Sequence, residues 1–200
     1  MRSEDEAVGS LRKYVKTLLA LPPKKNAVIM GLAPLFYQGV KLAVINASGE
    51  LIDSSIIHPF TPVLAAEEAI KDLAKLIIKH KISWVAIGSA KLALATKQLI
   101  DIVLMRYPDL ACKVKIVDSV GADGCNASLS IARRLQDPRQ ELAKIDPLIL
   151  GKKYLALINQ ERLIKEVKSL MQSSNKITPK PQIPRNTMLA DALLKWKTQQ

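Results

Sequence analysis

A change of hydrophobic period about a third of the way along the chain limits it to few folds. Three strand-like stretches follow one another, Ala27 to Leu32, Val40 to Asn46 and Leu51 to Ile57, the last two joined by a Ser48-Gly49 turn. Connections this short allow only antiparallel pairing. Beyond them Ile70, Leu73, Ile77 and Ile78 recur on one helical face between Glu67 and His80, and a short apolar strand runs from Trp84 to Ser89. A second helix spans about Lys91 to Tyr107, and a strand from Lys113 to Ser119 follows it. Helix alternating with strand predicts parallel crossover pairing. The chain is therefore expected to be α/β, with a mixed five-stranded sheet of three antiparallel and then two parallel strands, flanked by helices.

The flanks are helical. Ser3 and Glu6 have capping-box spacing, and Val8, Leu11, Val15, Leu18 and Leu19 recur at helical intervals up to Pro22-Pro23. From Ser128 onward the chain reads as helices, with breaks expected at Asp137-Pro138 and around Asp146-Pro147. Residues 1–25 form an N-terminal helix and linker, 26–154 the α/β domain, 155–172 a basic amphipathic helix, and 173–200 a Pro/Lys-rich linker with a short last helix. The chain carries +12, of which residues 1–150 supply +5 (20 basic, 15 acidic) and residues 151–200 supply +7 (10 basic, 3 acidic). Such a charge suits nucleic acid, an anionic membrane surface or an acidic protein partner, without choosing among them. Cys112, Cys125 and two His offer neither a disulfide framework nor a metal quartet, so no cofactor or metal is expected. The N-terminus has no signal-peptide pattern and no apolar run is long enough to cross a bilayer, which predicts a cytoplasmic protein without a membrane role. Secretion by a C-terminal signal is left open.

Among common α/β folds, this strand order points to the RNase H-like class, and longer stretches of sequence point the same way. SIARRLQDPRQELAKIDP (Ser130 to Pro147), MGLAPLFYQGVKLAVINASGEL (Met30 to Leu51), KHKISWVAIGSA (Lys79 to Ala90) and VDSVGADGCNAS (Val117 to Ser128) resemble, in order, segments of the Tex family of transcription accessory proteins. The resemblance spans about residues 8 to 154 and implies the YqgF-type RNase H-like domain of that family. RNase H-like nucleases gather carboxylates at strand ends to hold two divalent ions. Here Ala33-Pro34-Leu35 stands where the related pattern carries Asp-Pro-Gly, Leu94 and Ala95 where it carries Arg and Glu, and Ser119 where it carries Glu. Asp118 adjoins Ser119, but its side chain leaves a strand from the opposite face. Asp137, before Pro138, suits a turn or a helix cap. About seventeen residues of the family pattern are missing between Ser128 and Ser130, and the chain ends before the helix-hairpin-helix and S1 modules that the resemblance would otherwise supply.

Arg133, Arg134 and Arg139, with Lys152 and Lys153, are candidates for a phosphate-facing strip, and Lys165 and Lys168 extend it into the basic tail. The alternative is a solvated helical face braced by ion pairs. Aromatic residues make up only 4%, so a stacking platform for bases is poorly supplied. Leu189, Leu193 and Trp196 lie at anchor spacing for a partner groove, or else fold back onto the domain. The helix from Lys91 to Tyr107 is apolar on several sides, which predicts burial, with an oligomer face as the alternative. His58 reads as a strand-end residue, His80 as part of a solvated KHK run, Cys125 as a buried thiol, and Gly121 as the turn after the fifth strand. No catalytic residue is assigned. The expectation is a non-catalytic RNase H-like module in transcription or nucleic-acid transactions, with weak electrostatic nucleic-acid contacts and a protein partner. A pure protein-interaction factor binding through its basic tail is the alternative, and a nuclease a further one.

Overall fold

Residues 3–35, 39–60 and 63–174 are described by the computed structural model. Helix α1 (Glu4–Leu19) starts as its sequence requires, with the Ser3 hydroxyl accepting from the Glu6 backbone N–H at 3.3 Å. The meander follows as β1 (Ile29–Leu35), β2 (Gly39–Ile45) and β3 (Leu51–Ile57). The β2–β3 turn is tied by the Asn46 side-chain oxygen, which accepts from the backbone N–H groups of Ser48 and Glu50. Gly49 takes φ 87° there, a conformation that suits glycine. Next come α2 (Val63–His80), β4 (Trp84–Gly88), α3 (Ala93–Arg106) and β5 (Lys113–Val117). The strand order is β3-β2-β1-β4-β5, antiparallel across the first three and parallel from β1 through β4 to β5. This is the mixed RNase H-like sheet that the strand sequence predicts.

Strand β1 runs farther than its apolar residues indicate. It takes in Ala33, Pro34 and Leu35, which pair with β2, whereas β4 pairs only as far as Leu32. Pro34 therefore sits where one side of β1 is a free edge, the place where a strand tolerates a residue without an N–H.

Helices α2 and α3 cover one face of the sheet, closing over Met30, Leu32, Leu42, Val44, Val85 and Ile87. The other face holds α4 (Ala127–Gln136), whose Ile131, Ala132 and Leu135 pack on Ile29, Ala33, Ile45 and Ala86. Contact between α4 and β1 is backbone against backbone: a Cβ on Gly31 would lie 2.1 Å from the Ser128 carbonyl oxygen and 2.8 Å from the Ala132 nitrogen.

Both proline breaks are helix starts. Asp137 caps α5 (Pro138–Leu142) by accepting from the Gln140 N–H, and Asp146 caps α6 (Pro147–Leu150) by accepting from the Leu148 N–H. Helix α7 (Gln160–Ser174) then returns against α1. Helices α1, α5, α6 and α7 share a third apolar cluster that includes Leu11, Val15, Leu142, Leu150, Leu163 and Val167. Arg12 clamps Glu166 through two hydrogen bonds of 2.7 Å, and Arg162 pairs with Asp5. The first helix and the basic amphipathic helix, far apart in sequence, are thus one packed unit.

Two expectations are corrected. Helix α3 is not fully buried: Leu99, Ile100 and Val103 face the core, but Leu94 is 69% and Met105 82% exposed, because nothing among the described residues covers the outer side. His80 is not a solvated member of a basic run. Its ring is mostly buried, with Nε2 2.7 Å from the Asp53 carboxylate on β3. His58 follows the end of β3 and is exposed, as expected. No described helix is long and apolar enough to cross a membrane.

Candidate nucleic-acid interface

The carboxyl ends of parallel strands are where α/β sheets expose backbone and loops to ligands. At this edge β4 ends at Gly88 and β5 at Val117, and the residues that follow lean together. The Ser89 N–H donates to the Val117 carbonyl, the Ser119 N–H donates to the Ser89 hydroxyl at 3.1 Å, and the two hydroxyls lie 3.5 Å apart. Asp118, leaving from the other side as strand alternation demands, meets α1: its carboxylate accepts from the Tyr14 hydroxyl at 3.2 Å and from the Val120 N–H at 2.8 Å. Burial and then the Asp118 charge raise the Tyr14 phenol above the usual tyrosine range.

A hollow of about 470 Å³ opens over these groups. Its walls include the turn at Val120 and Gly121, Asp123, and the 3₁₀ turn Lys152–Tyr154 after α6. Gly121 has φ 66°, and a Cβ there would press on Ile145 and Ile149 at 2.8 and 3.0 Å. Lys152 and Lys153 are exposed on the rim, and Lys153 Nζ lies 4.8 Å from the centroid of the Tyr14 ring. The hollow thus presents two hydroxyls, a bound carboxylate, Asp123 and two ammonium groups.

This donor set does not match a two-ion clamp. Ala33, at the end of β1, is only 4% exposed, and the β4 and β5 ends carry serines. Asp118 is already held by Tyr14 and Val120, and no group of three or more metal-ligating side chains occurs among the described residues. Asp137, the other candidate acid, caps α5.

The basic strip expected from sequence is divided by the fold. Arg134 does not face phosphate: it is 1% exposed, and its terminal nitrogens donate to the carbonyls of Asp118 at 2.7 Å and Val120 at 2.6 Å. It braces the hollow from behind, because on an α-helix the residue next to Arg133 points about 100° away, into the packed side. Burial lowers its pKa, opposed by the charges of Asp118 and Glu141. Its Nε is buried and has no hydrogen-bond partner among the described residues. Arg133 is half-buried and donates to the Gly49 carbonyl across the β2–β3 turn, and Arg139 is half-buried on α5. Of the remaining candidates, Lys152 and Lys153 come together at the hollow, whereas Lys165 and Lys168 are exposed on α7. Leu189, Leu193 and Trp196 lie outside the described residues, as does the Cys125 side chain. Tyr14, Ser89 and Ser119 were not singled out as site residues from sequence. Only the register of β4 against β5, with α1 folded back over both, brings them together.

A family model described as the Tex protein YqgF-like domain matches residues 27–135. The protein tex of Bordetella pertussis is 33% identical over 188 residues, covering 85% of this chain and 24% of that protein. The transcriptional accessory protein Tex of Neisseria gonorrhoeae is 30% identical over 190 residues, again 85% of this chain and 24% of that one. The chain spans about a quarter of the length of these relatives. Among solved structures, Thermus thermophilus RuvC aligns with a TM-score of 0.39 and 12% identity, over 74% of this chain and 94% of that chain. With more than half of its residues inside the matching model, the chain belongs to the Tex family through its YqgF-like domain.

Proposed function

We propose that this YqgF-like domain is a non-catalytic module of transcription or nucleic-acid transactions in the cytoplasm, touching nucleic acid weakly through its charges and relying on a protein partner for specificity. The observation that carries the reading is the hollow at the ends of β4 and β5, where Ser89, Ser119, Lys152 and Lys153 outnumber the carboxylates of Asp118, already hydrogen-bonded, and Asp123, at a position where metal-dependent cleavage would need a set of free carboxylates. Hydroxyls and ammonium groups are donors, and donors suit phosphate oxygens. Arg133, Lys165 and Lys168 add positive potential from other faces, and Arg134 acts only as the brace behind the hollow. The partner part of the reading rests on the exposed apolar side of α3, together with the anchor spacing of Leu189, Leu193 and Trp196.

Fluorescence anisotropy of the full chain with labelled single-stranded RNA and duplex DNA, at low and physiological salt, tests this. Micromolar binding with a steep salt slope is expected, and Lys152→Glu with Lys153→Glu should flatten that slope by roughly two ions. Magnesium- or manganese-dependent cleavage of a junction or RNA-DNA hybrid that disappears in Asp118→Asn overturns the non-catalytic reading. The alternative of a pure protein-interaction factor gains if no nucleic acid binds at physiological salt while a chain ending at Gln172 loses its partner.

A further inference from the structure

At the opposite end of β4 from the hollow, Trp84 begins the strand and pairs in register with Lys113 of β5. Its ring is half-buried, resting on the cluster under α4, and two lysines stand over it: Lys24 Nζ at 4.6 Å from the ring centroid and Lys113 Nζ at 5.6 Å. Lys24 is held there by its backbone, whose N–H donates to the Leu135 carbonyl at 2.9 Å. Lys115, also exposed, follows on the same face of β5, roughly 6.5 Å along the strand at about 3.3 Å rise per residue. That step is comparable to the one between consecutive phosphates of an extended single strand.

Two clefts run beside these residues. One of about 410 Å³ lies between β5 and the end of α1, with Lys115 on its rim and Leu18, Leu21 and Val117 among its apolar walls. The other, of about 840 Å³, lies between the linker after α1 and α5, and carries Lys25. They share Ala20, Leu21, Pro22 and Pro138. The acids along them are already engaged, Asp118 by Tyr14 and Val120, and Asp137 by the start of α5. This side of the sheet therefore carries a half-buried aromatic ring capped by two lysines, a separate apolar cleft with Lys115 on its rim, and the outer edge of β5, which among the described residues pairs on one side only.

We infer that Trp84 and the lysines around it form a second nucleic-acid site, specific for single strands, in which Lys24 and Lys113 swing from the ring onto neighbouring phosphates as one unpaired base stacks on Trp84, and Lys115 meets the next phosphate. A ring face bracketed by cations accepts any base by its π-surface and any backbone by its charge, and a paired base inside a duplex has no face to offer. The inference deepens the nucleic-acid reading above and uses residues separate from the hollow.

The test uses the 200-residue chain with Trp196→Phe, which leaves Trp84 as the single tryptophan. Oligouridylate is titrated while Trp84 emission and the anisotropy of a label on the RNA are followed together, with a duplex of equal length and polyglutamate as comparisons. The expected result is strong quenching by the single strand and little by the duplex. Trp84→Ala is expected to weaken binding roughly 5- to 100-fold and Trp84→Phe much less. Since Trp84 also packs on the core, Lys113→Glu with Lys115→Glu, both exposed, is the second variant and should weaken binding at least tenfold. Anisotropy that reports binding while Trp84 emission stays constant overturns the Trp84 site and leaves the hollow standing. Absence of any anisotropy change overturns both. Quenching by polyglutamate equal to that by RNA overturns the nucleic-acid assignment in favour of an acidic protein segment.

Discussion

Replacing Arg134 with methionine separates a brace from a phosphate contact. The guanidinium donates to the carbonyls of Asp118 and Val120, which set the turn that walls the hollow. Hydrogen bonds from a charged donor contribute about 1.5–3 kcal/mol each, so losing two costs about 3–6 kcal/mol before any relief. Relief exists, since burial already disfavours the charged form and Nε has no partner; removing a buried cation takes back part of the loss. A net destabilisation of about 2–4 kcal/mol remains, equivalent to roughly 4–16 °C in Tm for a chain of this size. Lysine at 134 should be nearly as poor, because one ammonium at the end of a flexible stem does not reproduce a planar fork spanning two carbonyls. Urea unfolding followed by circular dichroism, alongside RNA anisotropy measured well below the transition, distinguishes the roles. If Arg134→Met unfolds at the wild-type urea concentration yet loses RNA affinity, the side chain contacts phosphate and the argument from burial is wrong.

Other expectations follow from single contacts. Lys79 and then His80 hydrogen-bond Asp53 and hold its carboxyl at about 2, below its ordinary 3.8. The unfolded chain then binds the extra proton first, so stability rises with pH through that interval and is lost as pH falls from about 4 towards 2, by about 1 kcal/mol for a pair this near solvent; Asp53→Asn should flatten the acid limb of a Tm-against-pH curve. The Tyr14 phenol, held neutral by burial and Asp118, should ionise above the usual tyrosine range in an ultraviolet titration, and Tyr14→Phe should delete that late component. The sign is the reverse of Asp53: the contribution is complete below about pH 10, where unfolded tyrosine ionises, and is lost above it. Gly31→Ala should cost about 1–3 kcal/mol or more in urea unfolding, because the added methyl meets helix backbone rather than a side chain that can swing away.

Sequence periodicity carried the sheet well, and it carried contacts poorly. Strand order, the Ser3 cap and the two proline breaks are local, and each was legible because one short stretch holds all the information: spacing of apolar residues, a hydroxyl three residues before a glutamate, an aspartate before a proline. The Tex resemblance extends this reach to Ala33 and Ser119 at the strand ends. Arg134 shows the limit. Two adjacent arginines on a helix look alike in sequence, and only the side on which α4 meets β1 decides that one spans a turn and the other is buried. The His80–Asp53 pair joins residues 27 apart through an edge strand and a helix end, and Trp84 acquires its lysines from a linker and from a neighbouring strand. Such pairs follow from register, which a hydrophobic pattern constrains only to within its period. On the outer side of α3 apolar content does not mean burial, since exposed apolar residues are common at protein surfaces.

The strand ends bear on metal dependence in a way that stability measurements can reach. A cluster of carboxylates repels itself until a cation joins it, so a fold built around such a cluster gains stability from the ion by mass action. Here Ala33 is packed beneath α4, the Ser119 N–H donates to the Ser89 hydroxyl, and Asp118 accepts hydrogen bonds from Tyr14 and Val120. Millimolar Mg²⁺ or Mn²⁺ should therefore leave Tm within about a degree of its value in EDTA, since a ligand that binds neither state tightly shifts nothing. Ala33→Asp sharpens the comparison: an acid placed at a position only 4% exposed has no cation of its own and should cost several kcal/mol. If Mg²⁺ restores most of that loss, the scaffold still shapes an ion site at β1 and only the acid is missing; if it restores nothing, the serine-lined edge has been remodelled for donors. A Tm in the unaltered chain that climbs several degrees with Mg²⁺ would contradict the reading at its base, because it would require a carboxylate set that these strand ends do not contain.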